Sequence, residues 1–110
     1  MTKITFFKNK DLLIGFEVSG HTGYAEIGSD IVCSAVSSIT QMTVLGLRSI
    51  KLNVKKDNKK GYLFCKLSKN ISENEILESQ NWFETLKISL EDLEKDYKKY
   101  LSLEVKDEIY

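Results

Sequence analysis

The segment KITFFKNKDLLIGFEV, residues 3–18, decides the fold of this chain. Residues 3–7 and 12–18 are apolar stretches typical of β-strands, and the second alternates apolar side chains along one face. The residues between them, 8–11, are polar and have the composition of a turn. The segment therefore predicts a β-hairpin at the start of the chain.

A different pattern follows the hairpin. Residues 20–29 contain three glycines and no sustained hydrophobic period, which favours a loop. Asp30 then precedes apolar residues at helical spacing that continue to about residue 48. Because aspartate is a common N-cap, we predict a helix over about 30–48 that begins at Asp30. Cys33 would then be the third helical residue.

The second half of the chain again predicts a hairpin followed by a helix. Residues 52–54 alternate apolar with polar side chains, 57–61 have turn composition, and 62–67 are rich in apolar and aromatic residues. From about residue 73 to residue 101, apolar side chains recur at spacings of three, four or seven. This spacing predicts a long amphipathic helix, with Gln80-Asn81 as the place at which it would break.

The fold class follows from the order of these elements. Leu103 and Val105 alternate with charged residues and predict a short final strand, which gives the order β-β-α-β-β-α-β. Strands that arrive in hairpins pair antiparallel, so this order predicts an α+β fold. We expect a single domain over residues 1–110, with a mainly antiparallel sheet of about five strands covered by two main helices.

Charge and hydropathy exclude several classes of function. Sixteen Lys and Arg residues balance sixteen Asp and Glu residues, so no bulk field would recruit nucleic acid strongly or attract an anionic membrane. The first residues are too short and too charged for a signal peptide, and no segment is expected to reach the ~20 apolar residues of a membrane span. These features predict a cytoplasmic protein. Its two cysteines, Cys33 and Cys65, would be reduced there, and their wide separation matches no CxxC pattern.

The chain has one histidine, His21, in the glycine-rich stretch before Cys33. Unpaired N–H groups and the helix dipole near a helix start would both stabilise a thiolate. The same N–H groups could stabilise the oxyanion formed in acyl transfer. The loop can fold back and bring His21 to Cys33, which permits a Cys-His dyad. Each residue also has an ordinary alternative, since a helical cysteine is often a packed small hydrophobe and a loop histidine often has no catalytic role.

A longer motif surrounds these two residues. Gly20-His21 is followed by Tyr24, by Gly28 and by the segment 30–37, Asp-Ile-Val-Cys-Ser-Ala-Val-Ser. This combination resembles the signature of the ribosomal-processing cysteine protease family, which pairs a GH dipeptide with a DIVCxxxS segment at the same spacing. The resemblance extends over nearly the whole chain in length, element order and late amphipathic helix.

The resemblance implies a function. Members of this family are bacterial cysteine endopeptidases that remove the N-terminal extension of the large-subunit ribosomal protein L-twenty-seven during ribosome maturation. Their substrates carry an aromatic-rich sequence before the cut and a small residue after it, and the enzymes are typically homodimers. In this chain the resemblance implies His21 as the base and Cys33 as the nucleophile, acting through a thioester without a metal or other cofactor.

Further residues match the motif. Asp30 and Ser37 stand where the family has Asp and Ser, and Ser37 would lie one helical turn after Cys33, where its hydroxyl could meet substrate or hold the loop. Asp30 would also act as the N-cap, and Ser37 has the alternative of a small packing residue. The three glycines of the loop would let it open and close over the thiol. These glycines are Gly20, Gly23 and Gly28.

Two other functions compete with the endopeptidase. The first is a non-catalytic ribosome-assembly module that binds the L-twenty-seven extension without cutting it. The second is a thiol redox sensor, because an activated cysteine is also oxidised readily. A sensor needs a resolving cysteine, and Cys65 lies in a strand pattern that predicts a buried position.

Overall fold

Two β-hairpins, a final strand and two long helices build this protein. The computed structural model describes residues 1–20, 27–52, 54–59 and 61–108, and for residues 27–30, 55, 58 and 59 it describes the backbone alone. In chain order the elements are β1 Thr2–Asn9, β2 Leu12–Ser19, α1 Ile27–Ser49, β3 Val54–Lys59, β4 Tyr62–Leu67, α2 Glu73–Asp96 and β5 Leu101–Asp107. The predicted order β-β-α-β-β-α-β is confirmed.

The described strands form one five-stranded sheet in the order β3-β4-β2-β1-β5. The pairs β1–β2, β2–β4 and β3–β4 are antiparallel, and β1–β5 is parallel. The sheet is therefore mainly antiparallel, as predicted. The parallel pair results from α2, because a helical connection from β4 returns the chain to the far edge beside β1.

The first hairpin turns tightly through Lys10 and Asp11, which have φ angles of 50° and 66°. Two consecutive positive φ values are characteristic of a two-residue type I′ turn, whose twist matches that of the flanking strands. The pairing shifts between Phe7 and Lys8, so β2 carries a bulge next to Leu13. Gln80 of α2 binds both backbone groups of Leu13, accepting from its N–H at 2.9 Å and donating to its carbonyl at 2.7 Å.

The predicted break in α2 is wrong. The polar pair Gln80-Asn81 was predicted to break the helix, but α2 is continuous from Glu73 to Asp96. Its start is fixed by Ser72, whose side chain and backbone exchange hydrogen bonds with Glu75 in a capping box. The helix ends five residues before the predicted position 101. Tyr97 and Tyr100 continue the apolar period because they pack against the core from the turn that follows the helix.

The second hairpin also differs in its boundaries. β3 begins at Val54 and continues to Lys59, so Asp57 belongs to the strand and pairs with Phe64. The predicted turn over 57–61 is therefore shorter, and Gly61 lies at its end with a φ of 74°. The final strand is longer than predicted, since β5 covers Leu101–Asp107.

Both helices cover the same face of the sheet. Ile4 and Phe6 of β1 are fully buried on that face, and their cross-strand neighbours Val18 and Phe16 belong to the same core cluster. Phe16 also contacts Phe83 of α2, with ring centroids 6.4 Å apart and nearly perpendicular planes. The hydrophobic core therefore lies between the sheet and the helix layer, and the other face of the sheet carries no helix among the described residues.

Part of α1 is more apolar than we expected. By length and composition, the stretch Ile31–Ser49 could cross a membrane, contrary to the prediction that no segment would reach that size. A helix that packs in a protein core passes the same test. Val32, Val36, Val44 and Leu47 of this stretch are buried in the core, which accounts for part of its composition, whereas Ile31, Met42 and Leu45 are exposed. We therefore interpret α1 as a core helix.

The arrangement of β1 leads to a stability prediction for two adjacent phenylalanines. Phe6 is fully buried beneath the helices, whereas Phe7 is half-buried on the opposite face, where its ring contacts the ring of Phe64. We expect Phe6→Ala to lower the free energy of unfolding by about 3–5 kcal/mol. Phe7→Ala should lower it by only roughly 1 kcal/mol, since much less apolar area is lost. Urea unfolding of both variants measures the difference, and equal losses would mean that the faces are assigned wrongly.

Candidate active site

The thiol of Cys33 lies within α1, further from its start than predicted. The helix begins at Ile27, so Asp30 is inside it and is not the N-cap, and Cys33 is the seventh helical residue when Ile27 is counted as the first. The prediction was wrong because Gly28 and Asp30 were taken as a loop residue and a cap. Both residues take part in the helix, in which a glycine costs about 1 kcal/mol but is tolerated.

This shift changes the expected electrostatics at the thiol. Only the first four N–H groups of a helix lack an intrahelical partner, and the effect of the helix dipole decreases within the first turn. Cys33 lies beyond that turn, because it is three residues after position 30. The unpaired N–H groups of α1 therefore do not lie beside the backbone of Cys33, and neither the activation of the thiol nor an oxyanion site can be assigned to them.

The face of α1 that carries Val32 and Val36 points to the core, and Cys33 itself is half-buried. Val32 is fully buried and Val36 is 3% exposed, so the inner face of α1 is fixed against the sheet. Ser37, one turn after Cys33, is exposed to solvent. An exposed Ser37 does not fill space in the core, which disfavours the packing alternative and leaves its hydroxyl accessible beside the thiol.

The start of β1 lies next to the thiol. Thr2 Oγ1 is 4.0 Å from Cys33 Sγ, and the Thr2 side chain is 2% exposed. Met1, the residue before Thr2, also contacts the end of β2. A Cβ atom added to Gly20 would lie 2.7 Å from the Met1 carbonyl oxygen, and Gly20 has a φ of +80°. Gly20 therefore suits this position, since a side chain there would clash and few residues adopt that φ.

The remaining predicted site residues can be placed only in part. Gly28 lies in the first turn of α1 rather than in a loop, which corrects the predicted loop over 20–29. His21 and Gly23 lie outside the described residues. The predicted gating by this stretch also falls mostly on residues that the structure does not describe.

Sequence analysis did not identify Thr2. Its signal was present in the alternation of β1, where Thr2, Ile4 and Phe6 share the face that the helices cover. A hydroxyl-bearing residue on an otherwise apolar face requires a polar partner. That the partner is Cys33 depends on the packing of α1 across the sheet, which no local pattern shows.

Cys65 is a buried residue of β4, as predicted. It is fully buried in the core cluster and belongs to no disulfide. Burial raises the pKa of its thiol from 9.0 to about 12, although the positive charges of Arg48 and Lys56 lower it slightly. A thiol that stays protonated and inaccessible is a poor nucleophile and a poor resolving cysteine, which weighs against the redox-sensor alternative.

This contrast predicts how the two cysteines react. At neutral pH, iodoacetamide should label about one cysteine per native chain, at Cys33, because Cys65 is inaccessible and its thiol is protonated. In urea the second thiol should become reactive. Mass spectrometry of intact and digested protein counts and locates the labels. Native labelling of Cys65 at a rate comparable to that of Cys33 would contradict its buried position.

Comparisons with known proteins show the family of this chain. The family model described as "Cysteine protease Prp" matches residues 1–102. This chain belongs to the Prp cysteine protease family. It is a cysteine protease by this membership, and the resemblance found in the sequence is confirmed.

Named members of the Prp family are similar over most of the chain. The ribosomal processing cysteine protease Prp of Bacillus subtilis is 29% identical over 91 residues, which cover 78% of this chain and 80% of that protein. The crystal structure of a ribosomal processing protease Prp from S. aureus in complex with a substrate peptide superposes with a TM-score of 0.83. It is 19% identical, and the match covers 96% of this chain and 100% of the other. A second S. aureus Prp structure, with a covalently linked product peptide, has a TM-score of 0.80 at 20% identity and the same coverage.

Proposed function

We propose that this protein is an endopeptidase that removes the N-terminal extension of the large-subunit ribosomal protein L-twenty-seven, with Cys33 as nucleophile and His21 as base. Membership in the Prp family supports the reaction class, and the name of the B. subtilis relative supports a role in ribosomal processing. The motif around His21 and Cys33 supports the residue assignment.

The observation that carries the proposal is that the first two residues contact Cys33 and also Gly20, which precedes His21 in the sequence. Gly20, the residue before His21, is packed against the Met1 carbonyl, and Thr2 contacts the Cys33 sulfur at 4.0 Å. Consecutive Cα atoms are about 3.8 Å apart, so the chain enters the stretch that holds His21 at the end of the sheet where Cys33 lies. The shared position of Gly20 and Cys33 at this end of the sheet favours a catalytic dyad of His21 and Cys33 over two residues with unrelated roles.

The proposed reaction has two steps. His21 takes the proton of the Cys33 thiol, and the thiolate attacks the carbonyl carbon of the scissile peptide bond. As the C–N bond breaks, the imidazolium of His21 protonates the leaving amine, and the acyl group remains on Cys33 as a thioester. A water molecule deprotonated by His21 then attacks the thioester, which releases the carboxylate product and regenerates the thiol. The covalently linked product peptide in the S. aureus structure supports a covalent route.

The proposal includes the surroundings of the dyad. We assign substrate contact to Ser37, because it is exposed one turn after Cys33 on the same helix. We also propose a homodimer in the cytoplasm, in line with the resemblance, and sedimentation equilibrium would test the dimer. The substrate peptide bound to S. aureus Prp supports recognition of an extended segment of another protein.

The test uses the L-twenty-seven precursor from the same organism. Wild-type protein should release one N-terminal peptide, cut after the aromatic residues, and mass spectrometry should locate the cut. The matched control is a precursor in which those aromatic residues are replaced by alanine, and it should be cleaved much more slowly. Binding of the intact precursor without any cleavage would overturn the endopeptidase and support the binding module instead.

A further inference from the structure

Thr2 places a hydroxyl where an apolar group would be expected. It shares the covered face of β1 with Ile4 and Phe6, which are fully buried, and is itself 2% exposed. Valine has almost the same shape as threonine and the same preference for strands. Burying a hydroxyl without a partner costs about 1–3 kcal/mol, so the structure must give this hydroxyl a partner.

That partner is the sulfur of Cys33. Within the described residues, Cys33 Sγ is the one atom recorded in hydrogen-bond contact with Thr2 Oγ1, at a distance of 4.0 Å. The hydroxyl is held firmly, because Thr2 begins the parallel β1–β5 pair opposite Leu101 and its N–H donates to the Tyr100 carbonyl at 2.8 Å. The β-branched side chain adds stiffness at χ1.

We propose that Thr2 is a positioning residue for the nucleophile, and that its hydroxyl donates a hydrogen bond to the Cys33 sulfur when the thiol proton has moved to the base. This inference rests on the proposed role of Cys33. In the thiol state either atom can be the donor. A thiolate can only accept, so after ionisation the hydroxyl is the donor and keeps its own proton.

The change in charge gives the contact a catalytic consequence. A hydrogen bond to an ionised acceptor is shorter and stronger than one between neutral groups. A donor that binds the charged form better favours that form, so Thr2 raises the fraction of thiolate at neutral pH. It also restricts the rotation of the sulfur, because the oxygen belongs to a residue held by the pairing of β1 with β5. Both effects act on the chemical step rather than on substrate binding.

The experiment compares wild type with Thr2→Val and Thr2→Ser. The rate of Cys33 alkylation by iodoacetamide is followed as a function of pH, with Cys65 silent because it is buried. Thr2→Val should move the midpoint of this profile up by about one pH unit, which lowers the alkylation rate near neutral pH by about tenfold. Thr2→Ser keeps the hydroxyl and should restore most of the wild-type profile. With an L-twenty-seven extension peptide, kcat should fall in Thr2→Val while KM stays within about twofold.

Unfolding measurements separate positioning from structure. Thr2→Val should be as stable as wild type or more stable, so loss of reactivity cannot come from loss of the fold. If Thr2→Val does not fold, Thr2→Ala gives the same comparison without added bulk. A Thr2→Val midpoint within about 0.2 pH units of wild type, with unchanged kcat, would overturn the inference.

The result that would reject the proposed function differs from the result that would reject the role of Thr2. If Cys33→Ala still cleaves the precursor, then Cys33 is not the nucleophile, whatever the Thr2 variants do. If Cys33→Ala is inactive while Thr2→Val reacts like wild type, only the role of Thr2 is lost.

Discussion

The Cys33→Ala variant should cleave the L-twenty-seven precursor at least about 10⁴-fold more slowly than wild type, because it removes the atom that forms the thioester. Among the described residues, Thr2 is the hydroxyl in contact with the sulfur, and it is not expected to replace the thiolate. Within the described part of the chain, Ser34 and Ser37 are the hydroxyl groups nearest in sequence, and an unactivated serine hydroxyl is a far weaker nucleophile than a thiolate. Single-turnover cleavage with enzyme in excess over precursor measures the residual rate.

Two further variants test whether the loss of activity is due to the Cys33 sulfur alone. Cys33→Ser retains the size and polarity of the side chain, and it should be nearly as inactive as Cys33→Ala. Cys65→Ala removes the other thiol from the core and should cost roughly 1–2 kcal/mol of stability, yet its kcat/KM should stay within about twofold of wild type. Cleavage by Cys33→Ala above about 1% of the wild-type rate would assign the nucleophile to another residue.

The variant also tests binding without chemistry. Because the inner face of α1 is fixed by Val32 and Val36, removing the half-buried sulfur should leave the fold intact. Cys33→Ala should therefore bind the extension peptide with an affinity similar to that of wild type. A stable complex of the variant with uncut precursor would show that recognition and cleavage are separable.

Periodic patterns predicted most of the fold. The first hairpin was found because alternation in β2 and a polar turn are local features, and the structure places Lys10 and Asp11 at that turn. The start of α2 near residue 73 was also found, from the apolar period that begins there. In both cases the signal and the structure it predicts lie within a few residues of each other.

Element ends were predicted less well, for two different physical reasons. At α1, Asp30 is of a residue type that often caps helices, but the helix already begins at Ile27. The capping preference of aspartate therefore did not predict the first residue of the helix. At α2, Tyr97 and Tyr100 pack on the core from outside the helix. Their spacing reflects burial rather than helical hydrogen bonds, and a hydrophobic period cannot distinguish the two.

At the candidate active site, one feature was predicted from neighbouring residues and another depends on the assembled fold. The motif made Cys33 the candidate nucleophile from its own neighbours in sequence, but it placed the residue too near the helix start. The contact with Thr2 depends on the alignment of β1 with β5 and on α1 crossing the same face, and these elements are far apart along the chain. Only the assembled sheet brings the start of the chain to the thiol.

Replacing His21 should be the second most damaging change to activity. His21→Ala should lower kcat/KM for precursor cleavage by about 10²–10⁴-fold, the usual contribution of a general base. Without the imidazole, the Cys33 proton must go to water or hydroxide, and this transfer becomes easier as the pH rises. The loss should therefore be largest at neutral pH and become smaller as the pH rises. The measurement is a pH profile of single-turnover cleavage from about pH 6 to about pH 9.5.

Chemical rescue distinguishes a missing base from a disturbed chain. Adding free imidazole, a small base of the same chemistry, should partly restore cleavage by His21→Ala, and it should leave Cys33→Ala inactive. Thr22→Ala, at the next position, is the matched control and should retain activity within about threefold of wild type. If His21→Ala has the same pH profile as wild type and gains nothing from imidazole, another group takes the proton, and the dyad would have to be reassigned even though Cys33 remains the nucleophile.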